Sequence, residues 1–427
     1  MRTAFKCRAY PDAEQAVMLN RTFGCVRLVW NKTLAERHSR YRAEGRQTSY
    51  KQTDAALTVW KKTPELLFLN EVSSVPLQQT LRHQHAAFTN FFAGRARYPR
   101  YKSRSGRQSA HYTRSAFRMR DGRLWLAKTA GPLKVVWSWP DVDLAVLRPT
   151  MVIVSREPDG RWFITLVVDE EDSAPAVPTG EMVGVDLGLK DFAVTSDDDR
   201  IAHPRHMQRH ERRLRRYQRM MARKIKGSRN RQKARRKLAR RHARVRDARH
   251  DFLHKTTTEL VRRYDVIVIE DLNVSGMVRN SRLARVISCS GWAEFRSMLE
   301  NKAARFGRRV VVIDRWYPSS KTCGACGHLL AHLDLGTRQW VCPDCGARHD
   351  RDINAAKNIL AAGLAVTACG AGARPKGETP RQLASKQETR PVREGGHARS
   401  GRRRRPTVAV ESASFSGGAE AASRGEA

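Results

Sequence analysis

The sequence predicts a multidomain α/β protein. Three observations carry that expectation: a mostly helical first hundred residues, apolar strands that end in acids, and two Cys-x-x-Cys turns set just before an aspartate-led helix. At 427 residues the chain holds more than one core. Charge is the loudest global signal, with 81 Lys plus Arg against 42 Asp plus Glu for a net +39. Self-repulsion on that scale calls for a polyanion, and nucleic acid is the expected partner. An anionic membrane is the competing polyanion, but no apolar run approaches the roughly 18 residues needed to span one. The start, MRTAFKCRAYPDAEQ, lacks the apolar stretch of a signal peptide. A cytoplasmic, nucleoid-associated setting is therefore expected, with Cys7, Cys25, Cys289 and Cys369 as free thiols.

Taken in order, residues 1–10 alternate apolar and basic and read as one edge strand, ended by Pro11. From Asp12 the spacing turns helical, and Gly24 predicts a break that leaves two packed helices. Tyr50–Trp60, Leu66–Leu69 and Ser74–Phe92 continue as helices set off by Pro64 and Pro76. Gly94–Arg114 interleaves positive charge with Tyr98, Tyr101 and Tyr112, a composition suited either to tracking a nucleic-acid backbone or to a basic linker. Phe117–Val168 switches to period-two runs around a Pro158–Gly160 turn, which predicts a hairpin in a small β-barrel partnered by the first strand. Glu170–Gly180 is an acidic, Pro-containing linker.

Met182–Val185 is a buried strand ending in Asp186, with an antiparallel return through Phe192–Thr195. Arg205–Arg249 carries 21 Lys or Arg against two acids. Leu214, Tyr217 and Met221, then Leu238, Val245 and Phe252, give it an apolar seam along two helices joined near Gly227. A solvated face mixes charge signs, so this pair is matched to phosphates. Tyr264–Asn273 is a second buried strand, ending in Glu270 and Asp271. Such a strand also resembles the Mg²⁺-binding strand of an ATPase, but no G-x4-G-K-[ST] occurs anywhere in the chain. Trp292–Gly307 is an amphipathic helix and Val310–Trp316 a third apolar strand. Beyond about residue 370 periodicity is lost, and the GRRRRP run at 401–406 suits nonspecific nucleic-acid contact in a disordered tail.

Cys323 and Cys326 pair with Cys342 and Cys345, and four thiolates at this separation can close a tetrahedral Zn²⁺ site. Disulfides or a thioredoxin-like redox pair are the alternatives; two pairs rather than one and a glycine after each of Cys323, Cys326 and Cys345 favour zinc. His328, His332 and His349 are substitute ligands, although the thiolates already fill the shell. Asp352 opens the following helix, either as a simple cap or as a third acid beside Asp186 and Glu270. If the two strands are neighbours and the helix packs across them, the three carboxylates converge. Hard oxygen ligands so placed suit two Mg²⁺ ions, one activating water and one stabilising the leaving oxygen of a phosphodiester.

GVDLGLKDFAVTSD, IEDLNVSGMVRNSRLAR, GWAEFR, YPSSKTC, the two Cys pairs and DRDINAAKNIL resemble the TnpB family, the OrfB-type proteins of insertion sequences. The resemblance covers residues 1 to about 365 and implies an RNase H-like (RuvC) nuclease core with an inserted zinc ribbon. It assigns 1–10 and 115–170 to a wedge-like β-barrel, 11–114 to a helical, helix-turn-helix-like recognition lobe and 171–180 to a linker. It further assigns 181–316 and 347–365 to the nuclease core with the basic pair 205–262, 317–346 to the ribbon and 366–427 to a basic tail. Asp186, Glu270 and Asp352 match the family's catalytic, Mg²⁺-binding acids, and Cys323, Cys326, Cys342 and Cys345 its zinc ligands. Also implied are a guide RNA, target DNA cleaved beside a short motif, and a separate transposase from the same element. A guide-directed repressor and a transposase acting directly in strand transfer are the alternatives. One departure is Cys289 in ISCSGW, where the resemblance leads one to expect an acid.

Overall fold

A computed structural model describes residues 2–139, 142–169, 176–334 and 336–368. Cys369 and the basic run at 401–406 lie outside them. The first strand, β1 (Arg2–Ala9), buries Phe5, Cys7 and Ala9 on one face, as the alternation predicts. Asp12 then starts α1 (Ala13–Glu44) with a capping box, its side chain accepting from Gln15 N while Gln15 returns the contact. The helix runs unbroken for 32 residues, so the two helices expected around Gly24 are one. A lone glycine costs a helix about 1 kcal/mol, and burial of Leu19, Phe23, Val26 and Val29 on either side of it offsets that readily.

After α2 (Tyr50–Trp60), a 3-10 segment (Pro64–Asn70) and α3 (Ser74–Phe92), the basic segment runs without regular structure to residue 107. It is tied down by Trp30 Nε1, which donates to Arg100 O, and by Asn31, which bonds Lys102 through both amide atoms. Tyr112 is buried in the core and is no stacking platform, while Tyr101 stays exposed.

The β lobe contains β2 (Gln108–Thr113), β3 (Phe117–Arg120), β4 (Arg123–Leu126), β5 (Val135–Val136), β6 (Met151–Arg156) and β7 (Trp162–Asp169). The expected β6–β7 hairpin forms around Pro158–Gly160, and β1 pairs with β7 along eight residues. No closed barrel forms among the described residues. The sheet is open, in the order β2-β6-β7-β1-β5, and β3-β4 make a separate ribbon. Closure would need β5 to carry the ladder onward, and it keeps only two paired residues. Phe5, Leu19, Phe23, Leu77, Val152 and Ile164 belong to one core shared by helices and sheet.

The second sheet is built from β8 (Met182–Asp186), β9 (Asp191–Thr195) and β10 (Arg200–Ala202), with two strands that come later in the chain. Between them run the basic helices α4 (His206–Ala222) and α5 (Arg229–Arg263), joined at Gly227 and seamed by Leu214, Leu238 and Val245. The buried acids of the β6–β7 turn meet this pair: Glu157 faces Arg246 at 3.3 Å, and Arg161, itself held by Asp159, reaches Asp247 at 2.6 Å. Next come β11 (Val266–Glu270), α6 (Val274–Met277), α7 (Ala284–Ser290), α8 (Trp292–Phe306) and β12 (Arg309–Ile313). The sheet order is β10-β9-β8-β11-β12, with β8, β11 and β12 parallel. The small hairpin β13 (Gln339–Val341) and β14 (Arg348–Asp350) leads into α9 (Arg351–Ala368).

Helices cover both faces of this sheet. Val183, Val185, Ile267 and Ile269 pack against Leu253 and Leu260 of α5 and Phe295 and Leu299 of α8. Val268, Val311 and Ile313 pack against Ile359 of α9. Here α9 lies unusually close, because a Cβ on Gly184 would meet the backbone of Ala356 and come within 2.7 Å of Leu360 N, and one on Gly363 would come within 2.6 Å of Val268 Cγ2. The two glycines at 24 and 184 should therefore respond oppositely to alanine. Gly24→Ala, with open space around the new methyl, is expected to raise stability by about 0.5–1 kcal/mol. Gly184→Ala should lower it by about 3 kcal/mol as α9 is pushed off the sheet, both read by denaturant unfolding. No helix among the described residues is long and apolar enough to cross a membrane.

Candidate active site

Strand parity decides which side chains meet. Val185 pairs with Ile269 across the parallel β8–β11 ladder, so Asp186 and Glu270 each stand one residue beyond that pair, on strands about 4.8 Å apart. Side chains alternate, and Val183, Val185, Ile267 and Ile269 face α5 and α8. Gly184, Asp186, Val268 and Glu270 therefore face α9. The first turn of α9 carries Asp352, so the third acid is brought to the same end of the sheet by the close helix approach that Gly184 permits.

The structure settles which aspartate caps that helix. Asp350 Oδ1 accepts from Asp352 N and Ile353 N, at 3.1 and 3.2 Å, and its other oxygen is held by Arg200 at 2.8 Å. Capping falls to Asp350, and the Asp352 carboxylate is left for another task. Its charged neighbour is Arg338, 3.4 Å away at the root of the Cys-rich hairpin. The adjacent Glu270–Asp271 pair divides in a similar way. Asp271 is locked by Arg296 at 2.6 Å and by Arg315, which hold it below the usual carboxylate range against the opposing effect of burial. Glu270 forms no ion pair among the described residues. Its Oε1 accepts from Ser319 Oγ at 2.7 Å, and burial, opposed by that bond, pushes its carboxyl up.

Asp186 is the most perturbed of the three. Burial first, then the charges of Glu270 and Asp352, push its carboxyl up to about 7, with Arg351 opposing. In a chain carrying net +39, this corner gathers negative charge that Arg338 and Arg351 offset only in part. That is the environment of a hard divalent cation site, and the all-oxygen donor set fits magnesium. Among the described residues the four cysteines bring their ligand atoms within 4.8 Å of one another.

The cysteines form a tighter centre. Cys323 Sγ lies 3.7 Å from Cys345 Sγ, and Cys326 Sγ lies 3.6 Å from Cys342 Sγ. Tetrahedral zinc with bonds of about 2.3 Å sets sulfur–sulfur edges of about 3.8 Å, so the thiols fit the ion. Each pair sits on the same turn: Gly327 N and Gly346 N donate back to Cys323 O and Cys342 O, and both glycines adopt positive φ, at 80° and 72°. Burial opposes ionisation of Cys323, but backbone N–H groups of Cys326 and Ala325 bring its thiol down to about 7. His349 is no ligand here; its Nε2 lies 3.0 Å from Cys323 Sγ while its ring packs on Trp340.

Contacts that reach across the chain join the two centres, and sequence reasoning missed them. Buried Asn354 and Asn358, both on α9, donate to Thr322 O, and Asn358 also donates to Ser319 O. Asn354 Oδ1 accepts from Gly324 N inside the first Cys turn. One helix thus carries Asp352, clamps the segment bearing Ser319 and anchors the metal turn. The only sequence signal was the asparagine spacing in NAAKN, which puts both amides on one helix face. The departure at Cys289 leaves no cation stranded, because nearby Arg249 and Arg285 pair with Glu294 and Glu211.

Comparison with known proteins finds relatives of this chain. A family profile described as "Probable transposase" matches residues 165–281, "Cas12f1-like, TNB domain" matches 292–359, and "Helix-turn-helix domain" matches 1–46. A "Putative RNA-guided DNA endonuclease" of Streptomyces pristinaespiralis is 55% identical over 92% of this chain and 97% of its own length. The "Putative RNA-guided DNA endonuclease InsQ" of Escherichia coli K12 is 32% identical over 86% and 94%. Among solved structures, the mini-RNA-guided endonuclease CRISPR-Cas_phi3 aligns over 85% of this chain and 92% of that one, at 10% identity and a TM-score of 0.45. With such relatives matched nearly end to end, and with both the strand-end acids and the four-cysteine centre in place, the chain belongs to the TnpB family of OrfB-type proteins.

Proposed function

We propose that the protein is a transposon-encoded, RNA-guided DNA endonuclease that hydrolyses phosphodiesters at the Asp186, Glu270 and Asp352 site. The observation that carries this reading is the shared parity of Asp186 and Glu270 at the mouth of two adjacent parallel strands, with Asp352 delivered there by α9. When bound, magnesium supplies a Lewis acid that makes water nucleophilic and offsets charge on the leaving oxygen. The chain's own residues hold the ions and the strand. Ser319 fixes one oxygen of Glu270, leaving the other to the cleft, and Arg338 tempers the charge of Asp352. Asp186 holds a proton below about pH 7, so its readiness to take up a cation rises through neutral pH. Zinc at the four cysteines is structural in this reading.

Nucleic acid is gripped by the basic helices. Between the first sheet and α5 lies a cleft of about 520 Å³, lined by Arg8, Arg156, Arg161, Arg236, Arg240 and Arg244, with Tyr10 and Trp162 among them. Guanidinium groups interleaved with aromatics suit a phosphate backbone, and leave sequence to be read by base pairing with a guide. The test is purification from a host carrying the whole element, sequencing of co-purifying RNA, and cleavage of DNA matching that RNA. A defined RNA and magnesium-dependent cutting are expected. Tight guide-directed binding with no cutting at any magnesium concentration would make it a repressor instead.

A further inference from the structure

The segment that leaves β12 is engaged residue by residue, with one exception. Ile313 O accepts from Asp271 N, so the end of β12 stands beside the Glu270–Asp271 pair. Asp314 then closes a turn, its Oδ1 accepting from Trp316 N at 2.8 Å and its carbonyl from Tyr317 N at 3.2 Å. Arg315 turns to Asp271, Tyr317 packs on the Val311, Ile313 and Ile359 cluster, and Ser319 donates to Glu270. Trp316, between them, is 84% exposed. The other eight tryptophans are buried or half-buried. An indole left in water forgoes roughly 1.5–3 kcal/mol of burial, and here its backbone is fixed by the Asp314 turn, so little order is lost when a flat partner covers it.

We infer that Trp316 is a stacking platform for an unpaired nucleobase of the strand led into the carboxylate site. Three features choose this occupant over a protein surface: the exposed ring lies three residues before Ser319, which bonds Glu270 of the site, its neighbour Arg315 is held by Asp271 next to that glutamate, and the chain's +39 charge draws polyanions. Stacking on an aromatic is indifferent to sequence, since every base has a π-face, as a cutter directed by a guide requires. The inference rests on the nuclease reading above, and deepens it.

The experiment uses the full-length protein with its co-purified RNA and a set of DNA substrates in which one abasic nucleotide is walked through the positions flanking the cut. Trp316→Ala is expected to raise KM about ten-fold on intact DNA, with a smaller change in kcat, and Trp316→Phe to restore most of it. One abasic position should cost the parent a similar factor and cost Trp316→Ala nothing more. Additive losses at every position, or unchanged KM in Trp316→Ala, would overturn the inference. So would loss of a dimer in sedimentation of Trp316→Ala, which would make the ring a contact between copies. If the parent protein cuts no DNA, the nuclease reading fails separately. Stacking is then judged by equilibrium binding of intact and abasic single strands, where an equal affinity in parent and Trp316→Ala overturns it.

Discussion

Asp186→Asn is expected to stop cleavage and, at the same time, to make the metal-free protein more stable. The loss of cutting should be roughly a thousand-fold or more, because an amide cannot replace a charged ligand to a divalent ion. The gain in stability follows from the raised carboxyl. In the folded chain Asp186 keeps its proton up to about 7, whereas in the unfolded chain it ionises near its ordinary value of 3.8. Between those values the native state binds more protons than the unfolded state, so stability falls as pH rises through that window and stays reduced above it. Asparagine removes the titration. With a carboxyl at the open mouth of a sheet, the difference should reach on the order of 2 kcal/mol at about pH 8 and shrink toward zero near pH 4. Unfolding by denaturant across this range, in chelator, measures it. A variant no more stable than the parent at pH 8 would mean that burial and the neighbouring acids do not raise the Asp186 carboxyl.

Loss of a zinc ligand should have the largest structural effect. The hairpin between residues 317 and 350 buries little besides Cys323, Trp340 and Cys342, far too small a core to fold unaided. Structural zinc contributes on the order of 10 kcal/mol in comparable small sites, so Cys342→Ser is expected to unfold the hairpin outright. Bound zinc should fall from one ion per chain to none, and protease should cut within 320–350. Cleavage should fall with it, since Arg338 and the Ser319 segment are positioned through the same turns. Cys289→Ser, away from that centre, should retain zinc and protease resistance. Zinc retained in Cys342→Ser would contradict the four-thiolate assignment.

The four-cysteine cluster and the strand ends that carry the acids of the proposed site were legible in the sequence because each rests on local patterns. Met182–Val185 and Val266–Ile269 are apolar runs too short for helices, and the acid that closes each can only stand at a strand's mouth. Two Cys-x-x-Cys turns with trailing glycines specify their own geometry. What stayed hidden depends on contacts distant in the chain. Ser319 meets Glu270 across 49 residues, and nothing near either one announces it. HDRD offers two aspartates for one cap, and only the bonds from Asp352 N and Ile353 N, with Arg200 of β10 on the other oxygen, show that Asp350 takes the role. Gly24 misled because a glycine signals a break only where burial does not hold the helix together. The barrel failed for a similar reason: period-two runs mark strands but do not say whether the last one is long enough to close the ring.

The central claim is that Asp186, Glu270 and Asp352 share divalent ions while Asp271 does not. Manganese binding followed by electron paramagnetic resonance, on zinc-loaded protein, tests it directly. Asp186→Asn, Glu270→Gln and Asp352→Asn should each weaken binding at least about ten-fold, and Asp271→Asn should leave it close to the parent. Unchanged affinity in any of the first three would remove that residue from the site, and unchanged affinity in all three would contradict the account.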